Sequence, residues 1–242
     1  CGQRSISVMP VLFDDCHFAG KEPYLGPQDA PIPGVHNSGW TPSPGHLRVT
    51  DDAVWPQLMQ YISDMIGSFA QNPRIVAWDL YNEPGVGMGN KSLPLLEATF
   101  AWARDAQPSQ PLTVCLWNPK PEYADLHRVA AENSDVISFH DYNPMPLTGE
   151  RIAEPRSYGR PLVCTGWMAR VTGSRFETHL PVFQREQVGC DCWGLVTGKT
   201  QTRFVWGSKP GASEPDLWLH DVLYPDGKPY CQEEAELIRA IT

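Results

Sequence analysis

The residues in this 242-residue chain that could do chemistry cluster where apolar runs stop at polar or aromatic positions. The sharpest case is Ile75-Val76-Ala77-Trp78-Asp79-Leu80-Tyr81-Asn82-Glu83-Pro84-Gly85, where β-branched and aromatic residues end abruptly at Asn-Glu-Pro-Gly. The pattern predicts a buried strand delivering the Glu83 carboxyl to its C-terminal tip, with Pro84 and Gly85 turning the chain away. A carboxyl held there is suited to moving protons. Similar runs are Pro111–Trp117, Asp135–Tyr142, Pro161–Trp167 and Cys190–Val196, carrying Trp117, His140, Tyr142, Gly166, Trp167 and Trp193. Ile6–Phe13 ends at Asp14-Asp15, two further carboxylates for which loop capping and hydrogen bonding are the favoured roles.

Helices must separate these strands. Trp55, Leu58, Met59, Ile62, Met65, Ile66 and Phe69 recur at three- and four-residue steps, an amphipathic helix that Thr50 is expected to cap, with Asp51 and Asp52 in its first turn. Further helices are expected at Leu93–Ala106, Glu122–Glu132, Gly149–Arg156 and Gln232–Ile241. Ser174-Arg175-Phe176-Glu177 has the form of a capping box opening another. Strands alternating with helices indicate parallel α/β architecture. No linker-like composition shift divides residues 1–242, so a single domain is expected. The stretch from Lys21 to Val49 is rich in Pro and Gly, and a loop of that length is usually functional.

Composition narrows the partners. A hydrophobic content of 41% supports a sizeable core, and the chain contains no apolar run of bilayer-spanning length. A formal net charge of -9 argues against nucleic acid and anionic membrane as partners. Seven cysteines, an odd number, imply no disulfide framework, and Cys16, Cys115, Cys164, Cys190 and Cys192 are expected as buried thiols. His17, His36 and His46 share one loop without a ligand-like spacing, and Cys190-Asp191-Cys192 is too short for zinc, so neither metal nor cofactor is expected. Cys1-Gly2 could mimic a processed lipoprotein terminus, with a processed chain the plainer reading, and localisation stays open.

An Asn-Glu-Pro at a strand end resembles the fourth-strand signature of retaining (β/α)8-barrel glycoside hydrolases, the clan of cellulases, mannanases and xylanases and in particular glycoside hydrolase family 5. The resemblance implies a TIM-barrel-like fold. About six β/α units are countable, so it further implies a barrel truncated to strands three to eight, lacking the first two units. Open sheet edges would then favour a homodimer or higher oligomer. Glu83 becomes the general acid/base and Asn82 the ligand of the sugar 2-hydroxyl. His140-Asp141-Tyr142 resembles the sixth-strand His-x-Tyr, and Trp193 the platform beneath the cleaved sugar. Trp117, Trp167 and Trp40 join them as substrate-binding candidates, with Tyr24 beside Trp40 on the long loop. The implied activity is hydrolysis of β-linked, β-1,4 in the first instance, plant glycans or oligosaccharides, or binding of such glycans without turnover.

One position departs from the pattern. Retaining hydrolysis needs a second carboxyl about 5–5.5 Å from the first. In the clan it is a Glu at the seventh strand tip, and here Gly166 stands at the matching place in Cys164-Thr165-Gly166-Trp167. A nucleophile removed by substitution, another carboxylate taking over and a binding-only relative all remain open. Asp141 is expected to point away from the His140–Tyr142 face, and Asp191 inward but deeper. The second-strand Arg that pairs with the nucleophile in the clan has no counterpart here.

Overall fold

The computed structural model describes residues 2–16, 18 and 20–241. His17 and Cys1 lie outside them. Tertiary contacts gather the chain into two units, Cys1–Tyr24 with Thr41–Ser138 and Tyr158–Pro161, and Leu25–Trp40 with Phe139–Ser157 and Leu162–Thr242.

The first unit is built on a parallel three-stranded sheet in the order β1 (Val11–Asp14), β2 (Trp78–Asn82), β3 (Leu112–Thr113). Phe13 stands opposite Tyr81 and Asp14 opposite Asn82, so the polar tips of β1 and β2 are level. Trp78, Leu80 and Tyr81 are wholly buried, as are Ile62 and Ile66 of α2 (Trp55–Phe69) and Leu95 and Leu96 of α3 (Leu93–Asp105). Burying each such side chain contributes about 1.5–3 kcal/mol. A four-residue α1 (His46–Val49) precedes α2, and α4 (Ala124–Asn133) follows β3.

Three expectations need correction here. The Ile6–Phe13 run pairs as a strand only from Val11, with Val8 bridging Ile75 alone, because Pro10 has no N–H to give to a ladder. Thr50 does not cap α2. It closes α1, and Asp51 instead turns the chain by accepting the Ala53 N–H at 3.1 Å. The Pro111–Trp117 run is buried from Leu112 to Leu116 but forms a two-residue strand.

In the second unit β5 (Leu162–Gly166) pairs in parallel with β6 (Val188–Cys190), Leu162 opposite Val188 and Cys164 opposite Cys190. The strand order is β4 (Ile137–His140), β5, β6. Helices α5 (Met145–Arg156), α6 (Phe176–Arg185) and α7 (Gln232–Ile241) complete it. Among the described residues, strands thus form two three-stranded sheets and not one closed ring.

Arg170 organises the region after β5. Its guanidinium meets Glu234 of α7 at 2.8 and 2.6 Å, donates to the carbonyls of Trp218, His220 and Asp221, and lies 4.9 Å from the Tyr230 ring centre.

Ser174 does not cap α6, whose N-cap is Arg175. Its hydroxyl accepts the Met168 N–H at 3.3 Å instead. The run Cys190–Val196 leaves the sheet after Cys190, and Cys190 and Cys192 are half-buried, unlike the fully buried Cys16, Cys115 and Cys164. Gly194 explains the departure. Its φ is 81°, and a β-carbon there would lie 2.8 Å from His220 Cβ and 3.0 Å from Asp221 Oδ1, so only glycine lets this segment cross residues 220–221. Asp191 still gives its N–H to the Cys164 carbonyl at 3.0 Å, and although the residue is exposed as a whole, burial raises its carboxyl's pKa.

Candidate functional site

In the first unit Asn82 is the last residue of β2, and Glu83 follows at once with φ 44°, a left-handed backbone that a non-glycine residue seldom adopts. The surrounding bonds hold that step. Glu83 N–H points at Cys115 Sγ (3.3 Å), and its carbonyl accepts from Val86 N–H (3.1 Å). Trp117 gives its indole N–H to the Pro84 carbonyl at 3.0 Å while its ring packs on Tyr123, centroids 4.7 Å apart. Gly85 has φ 90°, and a β-carbon on it would sit 2.5 Å from Leu126 Cδ1.

Beneath the turn lies Asp15, fully buried. Its Oδ1 accepts the Tyr81 hydroxyl at 2.6 Å. Its Oδ2 accepts the Gly85 N–H at 2.5 Å together with the Ser92 hydroxyl. Burial pushes this carboxyl's pKa up, and those three hydrogen bonds pull against it. Asp14 caps its own loop, Oδ1 accepting the Cys16 N–H at 2.9 Å.

The second unit holds Trp40, His140, Tyr142, Gly166, Trp167 and Trp193. His140 and Gly166 meet: a β-carbon on Gly166 would stand 2.6 Å from His140 Cγ. Asp141 is buried and turned to Asn143, whose N–H it accepts at 3.3 Å. Trp167 is buried and stacks on His179 (5.6 Å, 22°), with Phe176 and Phe183 at its edges. Its ring faces are therefore taken up by the packed layer around α6. Trp40 is half-buried, its N–H closing a turn on the Asn37 carbonyl at 2.9 Å.

Tyr142 and Trp193 converge on a residue the sequence did not single out. His220 is wholly buried, with ring centroids of His36 at 5.5 Å, Trp206 at 5.2 Å, Tyr142 at 5.7 Å and Trp193 at 6.4 Å. Its Nδ1 lies 2.6 Å from the Met168 carbonyl, which fixes the proton there. Burial pushes its pKa down to about 3, so the ring is neutral and Nε2 is an acceptor. Among the described residues neither Nε2 of His220 nor Oδ2 of Asp221 has a hydrogen-bond partner. Trp193 and Trp206 remain 39% and 43% exposed, so part of their aromatic surface faces outward.

No family model matches the chain, and no curated protein matches it. Solved structures do. A β-glucuronidase from Ruminococcus gnavus in complex with D-glucaro 1,5-lactone matches with a TM-score of 0.57 at 17% identity, over 79% of this chain and 37% of that one. One from Faecalibacterium prausnitzii gives 0.53 at 14%, over 75% and 34%. One from Bacteroides uniformis gives 0.53 at 14%, over 72% and 25%. The chain shares part of its fold with β-glucuronidases. The shared part is α/β with parallel strands, and the chain spans well under half the length of these proteins. The likeness is to glycosidases broadly and does not single out glycoside hydrolase family 5.

Nothing in the sequence singles out Trp206 and His220, which lie in a stretch without periodicity between Thr197 and the turn at Pro225. The one available signal is the presence of Trp206, Trp218 and His220 in that stretch, which alone points as readily to packing.

Proposed function

We propose that this chain is a glycoside hydrolase acting on β-linked glycans, with Glu83 as the acid that protonates the leaving oxygen. The observation that carries the reading is the presentation of Glu83 one residue beyond a buried strand, on a left-handed step pinned from three sides. In the reaction the bond from the anomeric carbon to the leaving oxygen breaks. Its electron pair and the Glu83 proton go to that oxygen, and a nucleophile attacks the opposite face of the sugar. With glycine at 166, the nucleophile must come from outside the usual set, and azide or formate serves as a probe for it. The substrate class follows from the resemblance to xylanases and cellulases of the family 5 type, β-1,4-linked plant glycans or oligosaccharides. The fold shared with β-glucuronidases adds β-glucuronides to the set to be tried.

The test is a panel of aryl β-xyloside, glucoside, mannoside, galactoside and glucuronide, each with and without azide or formate. Anion-dependent release of the aryl alcohol from one sugar supports the reading and names the glycan. No release from any member contradicts it.

A second reading is carbohydrate binding without turnover. It is favoured by the His140 ring filling the space that the side chain of a nucleophile at 166 would need. Calorimetric binding of an oligosaccharide that no condition hydrolyses would establish it. We also propose self-association through uncovered sheet edges, for which a monomeric mass in solution scattering is the contrary result.

A further inference from the structure

We propose that Asp15 is a positioning residue: by holding the Gly85 amide it fixes the backbone twist at Glu83 and so sets the direction of the Glu83 carboxyl. The proposal rests on the reading of Glu83 as the acid and adds to it the device that aims the acid.

A left-handed non-glycine residue costs about 1 kcal/mol or more, and persists only where its surroundings over-determine it. Around Glu83 they do. Cys115 and Trp117 hold the turn through neutral hydrogen bonds, at 3.3 and 3.0 Å. The Asp15–Gly85 bond is shorter, 2.5 Å, and when Asp15 is ionised it is charge-assisted, roughly twice as strong as a neutral one.

Asp15 is itself immobilised. One carboxylate oxygen is tied to Tyr81, two residues before Glu83, and the other to Ser92, at the end of the 3₁₀ segment Gly89–Ser92. Its carbonyl meets His46 Nε2 at 2.5 Å, so its backbone is fixed as well. One side chain thus grips the strand before the turn, the turn itself and the segment after it. Gly85 completes the device, because a side chain there would strike Leu126. Loss of the grip releases the peptide that carries Glu83, and a displacement of about 1 Å at a reacting group can cost on the order of 10²-fold in rate.

The experiment uses the full chain, the sugar it turns over and azide, with phenyl and 2,4-dinitrophenyl as leaving groups. The phenyl glycoside needs a proton from Glu83, whereas the dinitrophenyl glycoside leaves almost unaided. Asp15→Asn is expected to lower kcat at least tenfold for the phenyl glycoside and under threefold for the dinitrophenyl one, with KM within twofold for both. An equal loss on the two substrates is what a merely structural role would give, and overturns the proposal. Ser92→Ala, which keeps the Gly85 bond but frees one anchor of Asp15, is expected to show the same selectivity at two- to fivefold, and serves if Asp15→Asn does not fold. Hydrogen exchange at the Gly85 amide reads the grip without activity: at least tenfold faster in Asp15→Asn supports it, and an unchanged rate overturns it. Should the unmodified chain turn over neither glycoside, the hydrolase reading falls, and the exchange rate alone decides whether Asp15 holds the turn.

Discussion

The imidazole of His140 stands where a side chain on residue 166 would begin: a β-carbon there would be 2.6 Å from Cγ, 2.7 Å from Cδ2 and 2.9 Å from Nδ1. These are ring atoms next to the backbone of a buried residue, so the contact cannot be relieved by swinging a flexible tip aside. Gly166→Ala is therefore expected to lose about 1–3 kcal/mol, the usual cost of overpacking, and Gly166→Glu at least as much. In a His140→Ala background the cost should shrink by about 0.5–3 kcal/mol of coupling. Urea unfolding of the four proteins in the cycle checks this, and additive losses would contradict it.

Glu234→Ala is expected to destabilise strongly. It strips the carboxylate from Arg170, whose side chain is 3% exposed. Breaking one partner of a buried pair costs about 3–5 kcal/mol, here moderated by the carbonyls of Trp218, His220 and Asp221, which Arg170 keeps. Arg170→Lys should be nearly as damaging, because an ammonium cannot serve the two-pronged bond and three carbonyls together. Denaturant midpoints measure both, and a loss under 1 kcal/mol for either would contradict the description.

Acid should weaken the fold through its histidines. Burial holds His220 at about 3 against an ordinary 6.5, and burial lowers His179 as well. Below pH 6.5 the unfolded chain binds protons at these sites that the folded chain refuses, so stability falls as pH drops. Each group contributes a slope of up to about 1.4 kcal/mol per pH unit. Asp15, with its pKa raised by burial, works in the opposite sense above its ordinary 3.8, gaining stability as pH falls towards that value. His220→Phe is expected to flatten stability between pH 6.5 and 5. An unchanged slope would mean that His220 takes up its proton as readily in the folded chain as in the unfolded one, against the description.

Trp206→Ala is expected to weaken oligosaccharide binding about tenfold, roughly 1.4 kcal/mol, and also to lower thermal stability, because the residue, though 43% exposed, packs its ring on His36, Tyr142 and His220. Trp206→Phe should recover part of it. Titration calorimetry decides, and unchanged affinity would remove Trp206 from the sugar-binding face.

The sequence was most readable where one segment carries its own instructions. The apolar run to Asn82 and the Pro84-Gly85 break locate the Glu83 tip to within a residue of the end of β2. Gln232–Ile241 forms a helix over its expected span, because acidic residues open it and Arg239 lies in its last turn. Legibility failed where distant segments decide. An apolar run shows burial and not pairing, so Pro111–Trp117 is strand only at Leu112–Thr113 and Cys190–Val196 only at Cys190. The bond from Ser92 to Asp15 spans 77 residues, and nothing local to either residue announces it. His220 gains its place from backbone ties such as Leu219 N–H to the Arg203 carbonyl (2.8 Å) and Val222 N–H to the Leu195 carbonyl (3.1 Å), which no periodicity encodes.

The most direct test of the central claim replaces Glu83 with Gln and measures azide-supported release across a series of aryl β-glycosides of rising leaving-group basicity. If Glu83 supplies the proton, the variant loses at least a hundredfold on the most basic leaving group and little on the most acidic. Equal rates for Glu83→Gln and the unmodified chain across the whole series would contradict the account.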